Sequence, residues 1–127
     1  MEISVHNPSE GIYPATDWAH AIEVRNAERT VYVAGTMGLD PTGTPAPTLD
    51  EQLDLIWSNL RTILASAGMT VDNIVRVTSY LRDASYAEAN MNARLKALGG
   101  RVVPTTAIVA ETLTPDWLVE IEVIAAA

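Results

Sequence analysis

The sequence predicts a two-layer α/β sandwich, a mixed β-sheet with two helices on one face. Three observations predict it. Two segments carry the apolar period of an amphipathic helix, each opened by a cap and closed by glycine. Several short runs rich in β-branched residues alternate in the manner of strands. The two kinds of segment follow in the order strand, strand, helix, strand, helix, strand, strand, and a chain of 127 residues is expected to form one domain, residues 1–127.

The first strand is read at residues 18–25, WAHAIEVR, where apolar and polar residues alternate. Asn26 to Arg29 is polar and turn-like, and Thr30 to Ala34, TVYVA, is a second strand. Together they resemble a hairpin whose second arm ends in a kink or bulge at Gly35. Asp40 to Pro47, DPTGTPAP, holds three prolines and a glycine and reads as a surface loop.

Thr48 followed by Glu51 is a capping box, which satisfies free amides at a helix start. Leu49, Leu53, Ile56, Leu60, Ile63 and Ala67 then fall on one stripe, and Gly68 supplies the stop. Ile74 to Leu81, IVRVTSYL, is the next strand, with Val75, Val77, Ser79 and Leu81 on one face and Arg76, Thr78 and Tyr80 on the other. A second helix opens at Ser85 and Glu88, with Asp83 as the competing cap. Its stripe is Ala87, Met91, Leu95 and Leu98, and Gly99-Gly100 ends it. Two strands close the chain, Val102 to Ala110 and Trp117 to Ile124.

With two helices on one face, the other sheet face has no cover within the chain. If that face is apolar, another subunit must cover it, so an oligomer is expected.

Composition narrows the function. Sixteen acidic residues against eight basic ones give a net charge of −8, and Lys96 is the only lysine. Phosphate binding depends on clustered Lys and Arg, so neither nucleic acid nor an anionic membrane is an expected partner. The absence of cysteine removes disulfides, thiol nucleophiles and thiolate metal sites. No His, Asp or Glu cluster has ligand spacing, so no metal site is expected. The polar N-terminus is no signal peptide and no apolar run approaches a membrane span, which makes the expected location cytoplasmic.

Three segments carry a family resemblance. TVYVAGTMGLDPTG (30–43) resembles the "vfvSGqiplDpkTG" segment of the Rid (YjgF-like) proteins. NLRTILASAGMTVDNIVRVTSYLRD (59–83) resembles their "nlkaiLeaAGaslddVvkttvfltD", and LVEIEVIA (118–125) resembles their closing "lvEIEaIA". In this order and spacing the resemblance runs from about Trp18 to Ala125, nearly the whole chain. The resemblance implies a chorismate-mutase-like fold, a homotrimer and ligand clefts at the subunit interfaces. It also implies cofactor-free hydrolysis of small enamines and imines such as 2-aminoacrylate to a keto acid and ammonia. In the active subgroup an arginine binds the substrate carboxylate, and a glutamate near the C-terminus orients the attacking water.

Carried over residue by residue, the glutamate is Glu120. Alternation places Glu120 and Glu122 on one strand face, but only Glu120 matches the family position, and Glu122 is read as a surface residue. The family's "p-Y-S-q-A" stands here as Asp17-Trp18-Ala19-His20-Ala21, so Trp18 replaces a tyrosine as a stacking surface and His20 replaces a glutamine as a candidate base. Gly35 matches the glycine whose backbone borders the family cleft.

The arginine is missing. Its place falls at Pro104, Thr105 or Thr106, depending on the register chosen, which makes Thr105 and Thr106 the candidate substrate-binding residues. A charge-assisted hydrogen bond is worth about 1.5–3 kcal/mol, and a threonine hydroxyl offers one neutral donor. A small 2-imino acid held mainly by its carboxylate is therefore expected to bind at least about 100-fold more weakly. Arg101, Arg25 and Arg76 are the possible substitutes. Two functions stay open. One is a divergent imine or enamine hydrolase with an altered small-molecule substrate. The other is a non-catalytic trimeric module that binds a ligand or a partner.

Overall fold

The computed structural model describes residues 1–127. Its elements are β1 (Glu2–His6), β2 (Ala21–Arg25), β3 (Thr30–Met37), α1 (Leu49–Ser66), β4 (Ile74–Leu81), α2 (Ala87–Ala97), β5 (Thr105–Val109) and β6 (Val119–Ala126). Strands β3, β6, β4 and β5, in that spatial order, form one mixed sheet. Only β4 and β5 run parallel, joined by the α2 crossover. Both helices lie on one face, as expected for the two-layer class.

The core follows from alternation on two long strands. Val77, Ser79 and Leu81 of β4 and Val119, Ile121, Val123 and Ala125 of β6 point inward and are buried, and Ile74, not the expected Val75, joins them because a bulge shifts the register between Ile74 and Arg76. They meet Leu53, Ile56, Trp57, Leu60 and Leu64 of α1. Removing one such leucine side chain would cost about 2–5 kcal/mol, so this slab is the rigid part of the molecule. The opposite face of the same strands carries Tyr32, Arg76, Thr78, Tyr80, Glu120, Glu122 and Ile124 and has no covering layer within the chain.

Several elements sit where the residues predict. Strand β4 has the expected limits, and the Thr48 hydroxyl accepts the Glu51 amide hydrogen at 3.2 Å. Gly68, at φ 68°, ends α1 in the left-handed conformation that a side chain disfavours. The expected interruption at Gly35 is a β-bulge. Val33 pairs Val123 and Thr36 pairs Ile121, so Ala34 and Gly35 together stand opposite Glu122.

Several expectations need correction. Residues 2–6 form a strand that the polar N-terminus hid. Strand β2 pairs β1, not β3, so the expected hairpin does not form. The amides of Glu28 and Arg29, in the connecting turn, instead both donate to the Ala127 carbonyl at 2.9 Å. At its other end the β1–β2 ribbon is held where Ala19 bridges Pro104 at the start of β5. The ribbon therefore runs along one end of the main sheet, from the start of β5 to the start of β3.

The helix stripes also rotate. On α1, Leu64 is buried and Ile63 is 38% exposed, because 3.6 residues per turn carries the stripe one position onward over the helix length. On α2 the buried positions are Asn90 and Arg94, continued by Leu98, while Ala87 is exposed and Met91 and Leu95 are half-buried. An arginine faces inward there because Asp17 meets it. Asp83, not Ser85, is the capping residue, but it caps the short turn Ala84–Tyr86 that leads into α2, its carboxylate accepting the Ser85 amide at 2.8 Å, and α2 itself begins after Tyr86 without a side-chain cap.

Candidate active site

The chain carries two groups of candidate site residues, at opposite ends of the main sheet. The first surrounds Glu120. Strand β6 places Glu120 opposite Met37 of β3 and opposite Tyr80 of β4, on the face without helices. Its carboxylate lies against Gly35 so closely that a methyl group on Gly35 would collide with it. The bulge brings the glycine backbone to that spot, and the absence of a side chain leaves the carboxylate its room. Glu120 is half-buried.

A concavity of about 380 Å³ opens beside this pair. Its walls include Tyr80, Glu111, Thr112 and Glu122. The Tyr80 hydroxyl donates to the Glu122 carboxylate at 2.6 Å. That bond, burial and the negative charges of Glu122 and Glu120 raise the phenol above its ordinary value, against a smaller opposing pull from Arg76. Tyr80 thus stays a proton donor, and Glu122, read from sequence as a plain surface residue, is oriented by it.

The loop wall is held from below. Buried Gln52 of α1 donates to the carbonyls of Ala46 and Asp116 at 3.0 and 2.8 Å, and accepts the Leu118 amide hydrogen at 3.0 Å. The Thr112 hydroxyl donates to the Trp117 carbonyl at 2.6 Å, which folds the loop before β6 back on itself.

The second group surrounds Trp18. Ala19 donates to the Val103 carbonyl at 3.1 Å, which lays residues 17–20 beside the start of β5. The rings of Tyr13, Trp18 and His20 cluster, with centroids 5.1 Å apart for Tyr13–His20 and 5.2 Å for Trp18–His20. His20 Nε2 lies 2.8 Å from the Tyr13 carbonyl. A carbonyl only accepts, so Nε2 carries the proton and Nδ1 is the nitrogen free to act as a base. Below the cluster, Arg94 forms an ion pair with Asp17 and also donates to its carbonyl at 2.7 Å. Burial pushes the Asp17 carboxyl up, but Thr16, its own backbone amide and Arg94 together outweigh this and hold it below the ordinary value.

The two threonines divide. Thr105 donates to the Val103 carbonyl at 2.9 Å and lies level with inward-facing Val77. Thr106 lies level with Thr78 on the uncovered face and accepts from Arg76 at 3.2 Å. Of the three arginines expected as possible carboxylate partners, Arg101 donates to the Val71 carbonyl at 2.8 Å and Arg25 pairs with Glu2 at 3.0 Å. Arg76 alone touches a candidate threonine.

The structure brings Glu120 to Gly35, and Trp18 to His20 near Thr105, but it does not bring the two groups together in one chain. Thr105 is level with Val77 and Val123, three residues along β6 from Glu120 and two strands away. That separation is about 14 Å, too far for one small molecule to touch both.

The family model described as Endoribonuclease L-PSP matches residues 9–127, nearly the whole chain and both groups of residues. The chain belongs to this family, the Rid or YjgF family. A RutC family protein, YjgH, from Escherichia coli is 33% identical over 96 residues, which cover 75% of this chain and 73% of the relative. A RutC family protein from Pyrococcus abyssi is also 33% identical, over 88% and 87% of the two chains. Among solved structures, a conserved Rid-family protein from Yersinia pestis, YyfB, is 26% identical with a TM-score of 0.86, each chain covered completely. The α/β fold is thus that of the Rid structures.

Sequence reasoning missed Asp17, Arg94, Tyr13, Tyr80 and Gln52. Only Arg94 left a sequence trace, a charged residue spaced by four from Asn90 and Leu98 on one helix face. The partner that explains its burial is 77 residues away.

Proposed function

We propose that this Rid-family chain binds a small imine, enamine or related carbonyl compound in a cleft between subunits of a homotrimer and hydrolyses it. The observation that carries the proposal is the Glu120 carboxylate resting on Gly35 at the wall of a concavity. Glu120 orients water, and the bulged backbone lies beside the reacting carbon. Water attack on an imine needs positioning and stabilisation of a modest charge change, both of which a fixed carboxylate and polar wall supply.

The 14 Å separation within one chain supports a composite site. Trp18, His20 and Thr106 of one subunit would face Glu120 and Gly35 of the next, whereas Thr105, level with inward-facing Val77 and bonded to the Val103 carbonyl, turns away. Trp18 offers a flat apolar surface, and His20 Nδ1 offers a base. The concavity carries Glu111, Glu120 and Glu122 and no cation. A substrate of low negative charge fits that lining, and 2-aminoacrylate, a small anion, does not. The same lining and the net charge of −8 argue against a ribonuclease reading of the family name, since RNA binding needs basic phosphate contacts. A second reading, a ligand-binding trimer without turnover, draws on the absence of an arginine on β5.

A steady-state assay tests the proposal with 2-aminoacrylate and a neutral imine of similar size. The neutral imine is expected to be hydrolysed faster, and Glu120→Gln to lose about 100-fold of that rate. Hydrolysis of 2-aminoacrylate at the rate of an arginine-bearing relative would overturn the altered specificity. Ligand binding without turnover, unchanged in Glu120→Gln, would favour the second reading. Sedimentation measures the trimer.

A further inference from the structure

The helix layer lies on the far side of the core from the proposed cleft, and the hydrolysis uses nothing in it. Yet it holds the only free cations of the chain. Eight residues are lysine or arginine. Six of their side chains have partners: Arg25 and Arg94 pair with carboxylates, Arg29, Arg82 and Arg101 donate to backbone carbonyls, and Arg76 donates to the Thr106 hydroxyl. The two without a hydrogen bond or an ion pair are Arg61 of α1 and Lys96 of α2, and both line the same groove.

This groove lies between the two helices and measures about 250 Å³. From α1 come Asp54, Trp57 and Arg61, spaced by three and by four and so on one face of that helix. From α2 come Lys96 and, beside it, Ala93 and Ala97, whose small side chains leave the space between the helices open.

A second observation points to the same place. Trp57 is 2% exposed, and its indole Nε1 is buried with no hydrogen-bond partner in the chain. An indole N–H donates and cannot accept, so only an acceptor satisfies it. A buried donor left unpaired is destabilising, and native chains leave few of them. Trp57 borders a groove whose two cations also lack acceptors. All three groups call for the same ligand atom, an anionic oxygen.

Asp54 narrows the choice. It pairs with neither Arg61 nor Lys96, so two cations and one carboxylate leave the groove singly positive in a chain of net charge −8. A dianion would bring its second charge against Asp54. A monocarboxylate neutralises the groove, and Ala93 and Ala97 give its hydrocarbon part an apolar wall.

We propose that the groove between α1 and α2 binds a short-chain monocarboxylic acid. Its carboxylate accepts the Trp57 Nε1 hydrogen and pairs with Arg61 and Lys96, and its tail lies on Ala93 and Ala97. The core separates this site from Glu120, and its lining does not depend on what covers the opposite sheet face.

Titration of the full-length protein with butyrate, followed by the proton–nitrogen NMR signal of the Trp57 indole, tests it. Trp57→Phe identifies that signal among those of the three tryptophans. Butyrate is expected to shift it saturably. Butyramide, the neutral analogue of the same shape, and sulfate, a dianion, are expected to leave it in place. The double variant Arg61→Ala/Lys96→Ala should weaken butyrate binding at least about tenfold. Trp57→Phe, read by calorimetry, should weaken it about fivefold through the loss of one hydrogen bond. Glu120→Gln should leave the titration unchanged. Thermal melts report whether each variant is folded. The absence of a shift with butyrate overturns the proposal, as does an equal shift with butyramide or sulfate, or binding that the folded double variant leaves unchanged. A shift abolished by Glu120→Gln overturns it too, since the carboxylate would then sit in the cleft.

Discussion

The Glu120 group and the Trp18 group are built in different ways. Glu120 stands on β6, an inner strand of the sheet, and its neighbours on the strand, Val119 and Ile121, are fully buried. Its position is set by hydrogen bonds on both sides and by a glycine that only just admits it. Trp18 stands on a loop segment held to the start of edge strand β5 by the backbone of Ala19, and to Arg94 of α2 by the Asp17 ion pair and a hydrogen bond to the Asp17 carbonyl. The end of the site that would handle water is part of the core, and the end that would recognise the ligand is attached to it. Such a division would let recognition change without disturbing the chemistry.

If this contrast is right, the Trp18 group should have single points of failure. The sharpest is Asp17. Its removal leaves the Arg94 guanidinium buried without a counter-charge, and Asp17→Ala is expected to cost about 3 kcal/mol in denaturant unfolding. Arg94→Met should cost less, because the Asp17 side chain is 32% exposed and water can solvate it once its partner is gone. Equal costs would mean that the burial of Arg94 is not what holds the segment.

The Glu120 group should fail by crowding. Gly35→Ala drives a methyl group into the Glu120 carboxylate, which must swing aside, with an expected cost of about 1 kcal/mol in stability and a larger loss of turnover. The double variant Gly35→Ala/Glu120→Ala should recover most of that stability and none of the turnover. A double-mutant cycle with no coupling would break the claim that the glycine exists to admit the carboxylate.

Trp18→Ala should have a similar effect on stability, about 1 kcal/mol from lost ring contacts with His20 and Tyr13, and should raise KM more than it lowers kcat. A loss confined to kcat would move Trp18 from recognition to chemistry.

The smallest effect is on pH. The Asp17 carboxyl titrates below its ordinary 3.8 in the folded chain, so its contribution is fully present above that value and fades as pH falls through the folded-state value. The gap in melting temperature between the wild-type chain and Asp17→Asn should therefore be constant near neutrality and narrow only below about pH 3.8. A gap that closes between pH 7 and 5 would exclude this pair as its source.

Much of the rigid half was legible. Alternation in LVEIEVI puts Glu120 and Glu122 on one face with no knowledge of the fold, because a strand allows two directions only. The glycine at 35 interrupts a β-branched run, and a glycine there signals a bulge for the same local reason. The attached half was not legible. Asp17 and Arg94 carry no joint signal, since nothing local in either segment specifies a partner 77 residues away. The ribbon was half-read, with β2 recognised and its pairing misassigned, because alternation marks a strand without naming its neighbour.

By itself the sequence determined every element but β1, their order, the two faces of β6 and a net charge of −8. Those are short-range properties, set by spacing, caps and turns. The tertiary structure decided which strands pair, which face of α2 is buried and that Glu120 touches Gly35. It also decided that the two groups of candidate residues stand about 14 Å apart, and that Arg76 faces Thr106 instead of Glu122. Each of these is a contact between distant parts of the chain, fixed only when the whole core packs.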